Sequence, residues 1–240
     1  MNPIPIELQP LSWILIIIAV AAAAIFILIA QIKRYLDRRR RQKRLAERGR
    51  KGEQDLFDDL DQLKGYHKIL QNVYIPTSRS TTEIDLIMLH HSGIYVFENK
   101  AYSGWIFGSA ENQYWTQTLP NGYRFSFYNP VRQNEGHIGA LMKFLGISKR
   151  KMVHSFIVFS NAATFKELNC QGKFLVNDQE VWLVHLDGLD RALKKSFAKY
   201  KYNLTRREIN EIYKQLLPRT KVSNRVKLQH IRDVKKKQKR

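Results

Sequence analysis

The order of hydrophobic and polar residues divides the chain into one long apolar segment and a series of shorter periodic segments. Residues 11–30 carry no charge, and Ser12 is their only polar side chain. A helix of this length is about 30 Å long, which matches the hydrocarbon core of a bilayer. The pattern predicts a transmembrane helix over residues 11–32, preceded by a short extracytoplasmic segment, 1–10.

The rest of the chain alternates helical and strand-like patterns. Apolar residues at helical spacing predict helices over 53–63, 131–145, 189–197 and 204–217. Strand-like runs occupy 68–75, 83–89, 94–100, 153–159 and 181–186, and further short strands are expected within 102–118. Interleaved helices and strands predict an α/β or α+β class with a mixed sheet. Residues 52–218 are long enough to form one independent domain.

The formal net charge of +20 is concentrated at two places. Residues 33–51 hold 11 Lys and Arg against two acids, residues 219–240 hold ten against one, and residues 52–218 have a net charge of only +3. Because the first basic segment directly follows the apolar helix, the positive-inside rule predicts a cytoplasmic main domain and an outer N-terminus. We expect 33–51 to be a juxtamembrane linker that contacts anionic lipid, with nucleic acid as an alternative partner, and 219–240 to be a solvated basic tail.

Two other classes of protein fit the sequence poorly. A cleaved signal peptide is disfavoured, because the basic residues follow the apolar run instead of preceding it. The single cysteine, Cys170, excludes an internal disulfide framework and a zinc site built on several thiolates. The main domain is therefore expected in a reducing, intracellular compartment.

Two strand-like runs joined by a short polar tip predict a β-hairpin with His91 and Ser92 at its turn. In that register Asp85 lies opposite Glu98, and Lys100 shares their face of the sheet. Like charges placed opposite one another destabilise a sheet unless something neutralises them. A metal-dependent phosphodiesterase has this chemistry, with carboxylates holding Mg²⁺ or Mn²⁺ and a lysine steadying the attacking water. A surface ion pair between Glu98 and Lys100 explains the same spacing equally well.

Several motifs occur in an order that resembles the nuclease-related domain family. They are Gly52-Glu53, residues 83–87, residues 93–100, residues 104–108, Trp115 and residues 129–133. That family is similar to the restriction-endonuclease-like PD-(D/E)xK superfamily, so the resemblance implies a mixed sheet flanked by helices.

The resemblance also implies roles for individual residues. Asp85, Glu98 and Glu53 would ligate the metal ion, Lys100 would orient the nucleophile, and Gln133 would face the site from a helix. The implied function is a membrane-anchored, cytoplasm-facing nuclease that hydrolyses phosphodiester bonds of nucleic acid, with DNA as the expected substrate and the bacterial inner membrane as the expected location. The alternative is a catalytically inactive domain that binds nucleic acid or a protein at the membrane.

The remaining candidates have competing interpretations. His90 and His91 are expected to be exposed turn residues. His137 shares a helical face with Gln133, so it is a candidate for phosphate contact or a polar cap on a core helix. A group of aromatic residues could stack on unpaired bases, although aromatic residues at strand spacing favour the core. The group consists of Tyr102, Trp105, Phe107, Tyr114 and Trp115.

Overall fold

The computed structural model describes residues 10–238 except 79, 178 and 202, so the expected N-terminal segment 1–10 lies almost entirely outside the described residues. The chain divides into two compact units, 1–48 and 49–240. Both contain part of the long helix α1 (Pro10–Asp61).

The first unit consists of α1 residues within the described chain. Its apolar side chains are exposed from Trp13 to Ile32, and α1 is the one described helix long and apolar enough to cross a membrane. Residues 33–51, expected as a linker, are helical. The helix predicted to begin at Glu53 is therefore the continuation of α1. The helix continues past residue 48 because Gly49 and Gly52 are the only residues there with poor helix propensity. A single glycine lowers the stability of a helix by only about 1 kcal/mol relative to alanine.

The second unit contains ten strands and four further helices among the described residues. In chain order they are β1 (His67–Pro76), β2 (Thr81–His90), β3 (Gly93–Lys100), β4 (Gly104–Gly108), β5 (Tyr114–Thr118), β6 (Arg124–Tyr128), α2 (Pro130–Leu145), β7 (Val153–Phe159), β8 (Ala163–Leu168), β9 (Gly172–Val176), β10 (Gln179–His185), α3 (Leu189–Lys199), α4 (Arg206–Leu216) and α5 (Asn224–Gln238).

The strands form two sheets. The larger has the order β1-β2-β3-β7-β10-β9, in which β3, β7 and β10 are parallel and the other neighbours are antiparallel. The smaller has the order β6-β5-β4-β8. The mixed α/β class predicted from the sequence is therefore confirmed.

Alternating residues of the hairpin β2-β3 enter two separate cores. The core that contains α2 and α4 side chains receives Ile87, Leu89, Ile94 and Val96. The core on the other face contains side chains from α3 and the end of α1, and it receives Leu86, Met88, Tyr95 and Phe97. Because successive strand residues point to opposite faces, Asp85, Glu98 and Lys100 belong to the α2 face.

The expectation of an exposed His90 is wrong, and the expected C-terminal tail contains a helix. Residues 224–238 form the helix α5, which contacts the loop before β2: the Ser80 hydroxyl donates to Asp233 at 2.5 Å, and His230 Nδ1 lies 3.0 Å from the Thr81 carbonyl. His90 is buried, because its ring stacks on Phe197 of α3 with 4.1 Å between ring centroids. Both contacts join residues far apart in sequence.

Candidate functional site

The predicted hairpin register brings the two strand acids to one end of the sheet. Leu89 pairs with Ile94 and the ladder continues to Leu86 and Phe97, as the position of the turn predicts. Beyond that pair the regular ladder ends, and the Asp85 carboxylate instead accepts a hydrogen bond from the Asn99 amide at 2.8 Å. Asp85 is therefore held against the end of β3 by a side-chain contact.

Glu98 is fully buried and has two partners on different elements. Lys100 Nζ donates to its Oε1 at 2.5 Å, and His137 Nε2 lies 3.1 Å from its Oε2. Lys100 also donates to Gln133 Oε1 at 3.1 Å. The ion pair between Glu98 and Lys100 is thus part of a buried network and not a surface bridge.

Helix α2 supplies the third side of this network, and Asn129 fixes where the helix begins. Its Oδ1 accepts from the Val131 amide at 2.9 Å, while its Nδ2 donates to three carbonyls of the loop 109–112. The following Pro130 suits the first helical turn, where no amide donor is needed. Gln133 and His137, four residues apart, then lie on one face of α2, towards Lys100 and Glu98.

The last turns of α1 approach the end of β3 closely at Gly52. A Cβ atom at this position would lie 2.8 Å from the Ala101 Cβ and 3.0 Å from the Asn99 Nδ2. The next residue, Glu53, is partly buried, and burial together with neighbouring carboxylates, among them Glu98, raises its pKa. The glycine thus permits the helix to bring a third acid near the first two.

We predict that Gly52→Ala lowers the free energy of unfolding by about 1–2 kcal/mol, because the added methyl group overpacks the contact with Ala101. The matched control is Gly49→Ala on the same helix, where nothing lies within 4 Å of the added atom. That control should gain up to about 1 kcal/mol from better helix propensity. Urea unfolding of both variants in detergent micelles measures the difference, and equal stabilities would contradict the close approach.

The electrostatics of the site differ between its two strand acids. Burial and the neighbouring Glu98 raise the pKa of Asp85 well above its ordinary value, even though Lys100 opposes them. Burial would also raise the pKa of Glu98, but Lys100 and His137 outweigh it and hold that pKa below its ordinary value. Burial lowers the pKa of Lys100, and the Glu98 carboxylate more than reverses this, so the ammonium is kept charged.

The site residues predicted from the sequence therefore differ in how closely the structure brings them together. Asp85, Glu98, Lys100 and Gln133 join one network through direct or shared contacts, whereas Glu53 is linked to the strand acids by charge. Within the part of the chain that the structure describes, no three His, Cys, Asp or Glu side chains form a ready-made cage for a metal ion.

The sequence did not predict the contact that His137 makes in this network. His137 was expected to contact phosphate or to cap a core helix, but its Nε2 lies against Glu98 and its Nδ1 lies 2.8 Å from the Thr82 hydroxyl. With the proton on Nε2, the ring donates to the carboxylate and accepts from Thr82. The available signal was its spacing of four residues from Gln133.

Comparison with known proteins shows which proteins the chain is similar to. Residues 48–160 match the family described as nuclease-related domain. The chain is also 29% identical over 188 residues to an uncharacterized protein of Bacillus anthracis, covering 77% of this chain and 82% of that protein. No solved structure matches the chain. The match includes the hairpin, the smaller sheet's first three strands and α2, so this part of the chain is similar to the nuclease-related domain family.

Proposed function

We propose that the protein is a membrane-anchored, metal-dependent nuclease that hydrolyses phosphodiester bonds of nucleic acid, with DNA as its first expected substrate. The observation that carries this proposal is the meeting of Asp85, Glu98 and Lys100 at the end of one sheet face. A buried carboxylate whose pKa is raised by a second carboxylate, with an ammonium beside the pair, is suited to binding a cation and a phosphate.

The donor set fits Mg²⁺ or Mn²⁺. Mg²⁺ is usually held by one or two carboxylates while it keeps several waters, so it does not need a cage of three protein acids. Asp85 and Glu98 would be its ligands, and the Asn99 carbonyl and Glu53, directly or through water, would complete the shell. Bound there, the ion supplies Lewis acidity and lowers the pKa of a coordinated water.

The chain's own residues account for orientation and charge. Lys100 is held between Glu98 and Gln133, so its ammonium has a fixed position from which it can orient the attacking water or stabilise charge on the phosphate. His137 fixes the carboxylate of Glu98 from the opposite side, because it contacts the oxygen that Lys100 leaves free. Together, Lys100 and His137 keep the side chain of Glu98, a proposed metal ligand, in one rotamer.

The proposed location is the cytoplasmic face of a membrane, with α1 as the anchor and the N-terminus outside. The apolar part of α1 supports the anchor, and the basic residues 33–51 support the orientation. The same basic segment would contact anionic lipid. By family resemblance the membrane is the bacterial inner membrane.

The test is cleavage of single-stranded and duplex DNA and RNA by the full-length protein in detergent micelles, with Mg²⁺, Mn²⁺ or a chelator. We expect metal-dependent cleavage that falls at least about 100-fold in Asp85→Asn and in Glu98→Gln, because both remove charge from the metal ligands. The matched control is Asp190→Asn, an exposed acid on α3 whose partner is Lys194. It should cleave like the wild type.

A second function is favoured if catalysis fails while binding remains. A protein that binds nucleic acid but cleaves no DNA or RNA with either metal would be an inactive binding module at the membrane. Cleavage that persists unchanged in Asp85→Asn and Glu98→Gln would instead contradict the assignment of the site.

A further inference from the structure

The outer face of the smaller sheet carries a cluster of exposed aromatic side chains. Trp105 on β4 is 49% exposed, Tyr114 on β5 is 43% exposed, and Tyr128 on β6 is 40% exposed. Phe107 on β4 is partly exposed on the same face. We call these four residues the aromatic face. Isolated exposed aromatics are common, but four on adjacent strands form a continuous surface.

The strand register explains why these rings share one face. Tyr114 on β5 pairs with Tyr128 on β6. On β4, Ile106 faces inward, so the residues before and after it, Trp105 and Phe107, face outward. The neighbouring Trp115 points the other way and is buried. The aromatic residues singled out in the sequence therefore separate into core residues, Tyr102 and Trp115, and face residues, Trp105, Phe107 and Tyr114.

Two basic side chains accompany the rings. Arg124 pairs with Thr118, which in turn pairs with Trp105, so Arg124 and Trp105 lie on one face two strands apart. Lys166 on β8 follows the inward-facing Phe165 and is exposed. In the described part of the chain, neither basic side chain makes an ion pair or a hydrogen bond, so both are available to a ligand.

A pocket of about 390 Å³ opens on the same face. Phe107 and Tyr114 line it together with the polar side chains of Asn112, Asn169 and Glu167. Amides and a carboxylate next to aromatic rings are the groups that bind the edge of a nucleobase while its flat side stacks.

The aromatic face is close in sequence to the proposed catalytic site. Trp105 follows Lys100 by five residues, so the two α-carbons are at most about 18 Å apart by the reach of the chain. The aromatic face therefore begins within about 18 Å of Lys100 along the chain.

The geometry points to the aromatic face as a binding surface for single-stranded nucleic acid, on which unpaired bases stack while Arg124 and Lys166 contact the backbone phosphates. Stacking on aromatic rings beside a basic groove is how proteins bind single strands without sequence preference. This inference rests on the proposed nuclease function and adds the substrate class: single-stranded or locally unpaired segments.

The composition of the face favours this ligand over a lipid surface or a second copy of the chain. An apolar contact with lipid tails or with a second copy of the chain would cover the polar side chains of Asn112 and Glu167 without offering them hydrogen-bond partners. A base edge satisfies both the amides and the carboxylate.

The test is fluorescence anisotropy of a labelled oligothymidylate and a labelled oligouridylate with the full-length protein in neutral detergent micelles, in the presence of a chelator. We expect Trp105→Ala to weaken binding of both oligonucleotides about tenfold, with little change for duplex DNA. The double variant Tyr114→Ala with Tyr128→Ala should have the same effect. The control is Leu175→Ala, a more exposed apolar residue on β9 of the other sheet, which should bind like the wild type.

The phosphate contacts are tested by the salt dependence of the same binding. Arg124→Ala combined with Lys166→Ala should reduce the slope of log affinity against log salt by about 1.4, since single strands contribute about 0.7 for each phosphate contact. Lys195→Ala, an exposed lysine on α3, should leave the slope unchanged.

Several results would overturn the inference. They are unchanged single-strand binding in the aromatic variants, an equal loss for duplex DNA, and variants that alter only self-association in sedimentation or partition into vesicles. Because binding is measured in the presence of a chelator, its outcome does not depend on cleavage, so failure of this inference is distinguishable from failure of the proposed nuclease function.

Discussion

Lys100→Met is expected to destabilise the protein by about 3 kcal/mol at neutral pH and to abolish cleavage. The substitution keeps the aliphatic stem but leaves the Glu98 carboxylate, which is 1% exposed, with His137 as its remaining partner. Removing one member of a buried ion pair is costly, because the other charge stays buried and uncompensated. Urea unfolding in detergent micelles gives the loss of stability, and cleavage assays give the loss of activity.

The double variant Glu98→Gln with Lys100→Met separates the two effects. Removing both charges should recover most of the lost stability, since a neutral pair carries no comparable desolvation penalty. Cleavage should stay absent, because the double variant lacks a proposed ligand and the lysine. A single Lys100→Met variant as stable as the wild type would show that the ion pair is not buried as described.

Asp85→Asn is expected to have the opposite effect on stability: a gain of about 1 kcal/mol in the absence of metal, together with loss of cleavage. Burial and the neighbouring Glu98 raise the pKa of Asp85 in the folded protein, so the ionised carboxylate is less favourable there than in the unfolded chain. An amide does not ionise, and its oxygen can still accept the hydrogen bond from Asn99. Residues that serve function at the expense of stability commonly behave in this way.

The pH dependence follows from the direction of that shift. A pKa higher in the folded protein than in the unfolded chain means that the wild type loses stability as pH rises from the unfolded pKa to the folded pKa. The gain in Asp85→Asn should therefore be small in acid and increase towards neutral pH. Unfolding measured across this range with a chelator present checks it, and Asp190→Asn should show no such trend. A variant less stable than the wild type at neutral pH would contradict the account.

The hairpin of the site could be predicted because two local signals agree. The turn at His91 and Ser92 and the alternation of apolar residues both set the same register, which the structure confirms from Leu89 and Ile94 to Leu86 and Phe97. The helix α2 was similarly predictable, because Asn129 and Pro130 mark its first turn. Local patterns of this kind depend only on neighbouring residues.

Other features depend on contacts between distant segments, and the sequence did not reveal them. Strand β8 has no continuous apolar run and β9 has one of only three residues, and they form because β4 and β10 offer free edges. The burial of His90 requires Phe197 of α3. Which aromatic residues face solvent likewise depends on the register of the smaller sheet, because Trp105 and Trp115 both lie in short strands but point to opposite faces.

The most direct test of the proposed site is isothermal titration calorimetry of the full-length protein with Mn²⁺ and with Mg²⁺, in the absence and presence of oligothymidylate. The account predicts binding of a divalent ion by the wild type, strengthened by the oligonucleotide, and loss of that binding in Asp85→Asn and in Glu98→Gln but not in Asp190→Asn. A wild type that binds no divalent ion even with oligonucleotide present, or variants that bind as tightly as the wild type, would contradict it.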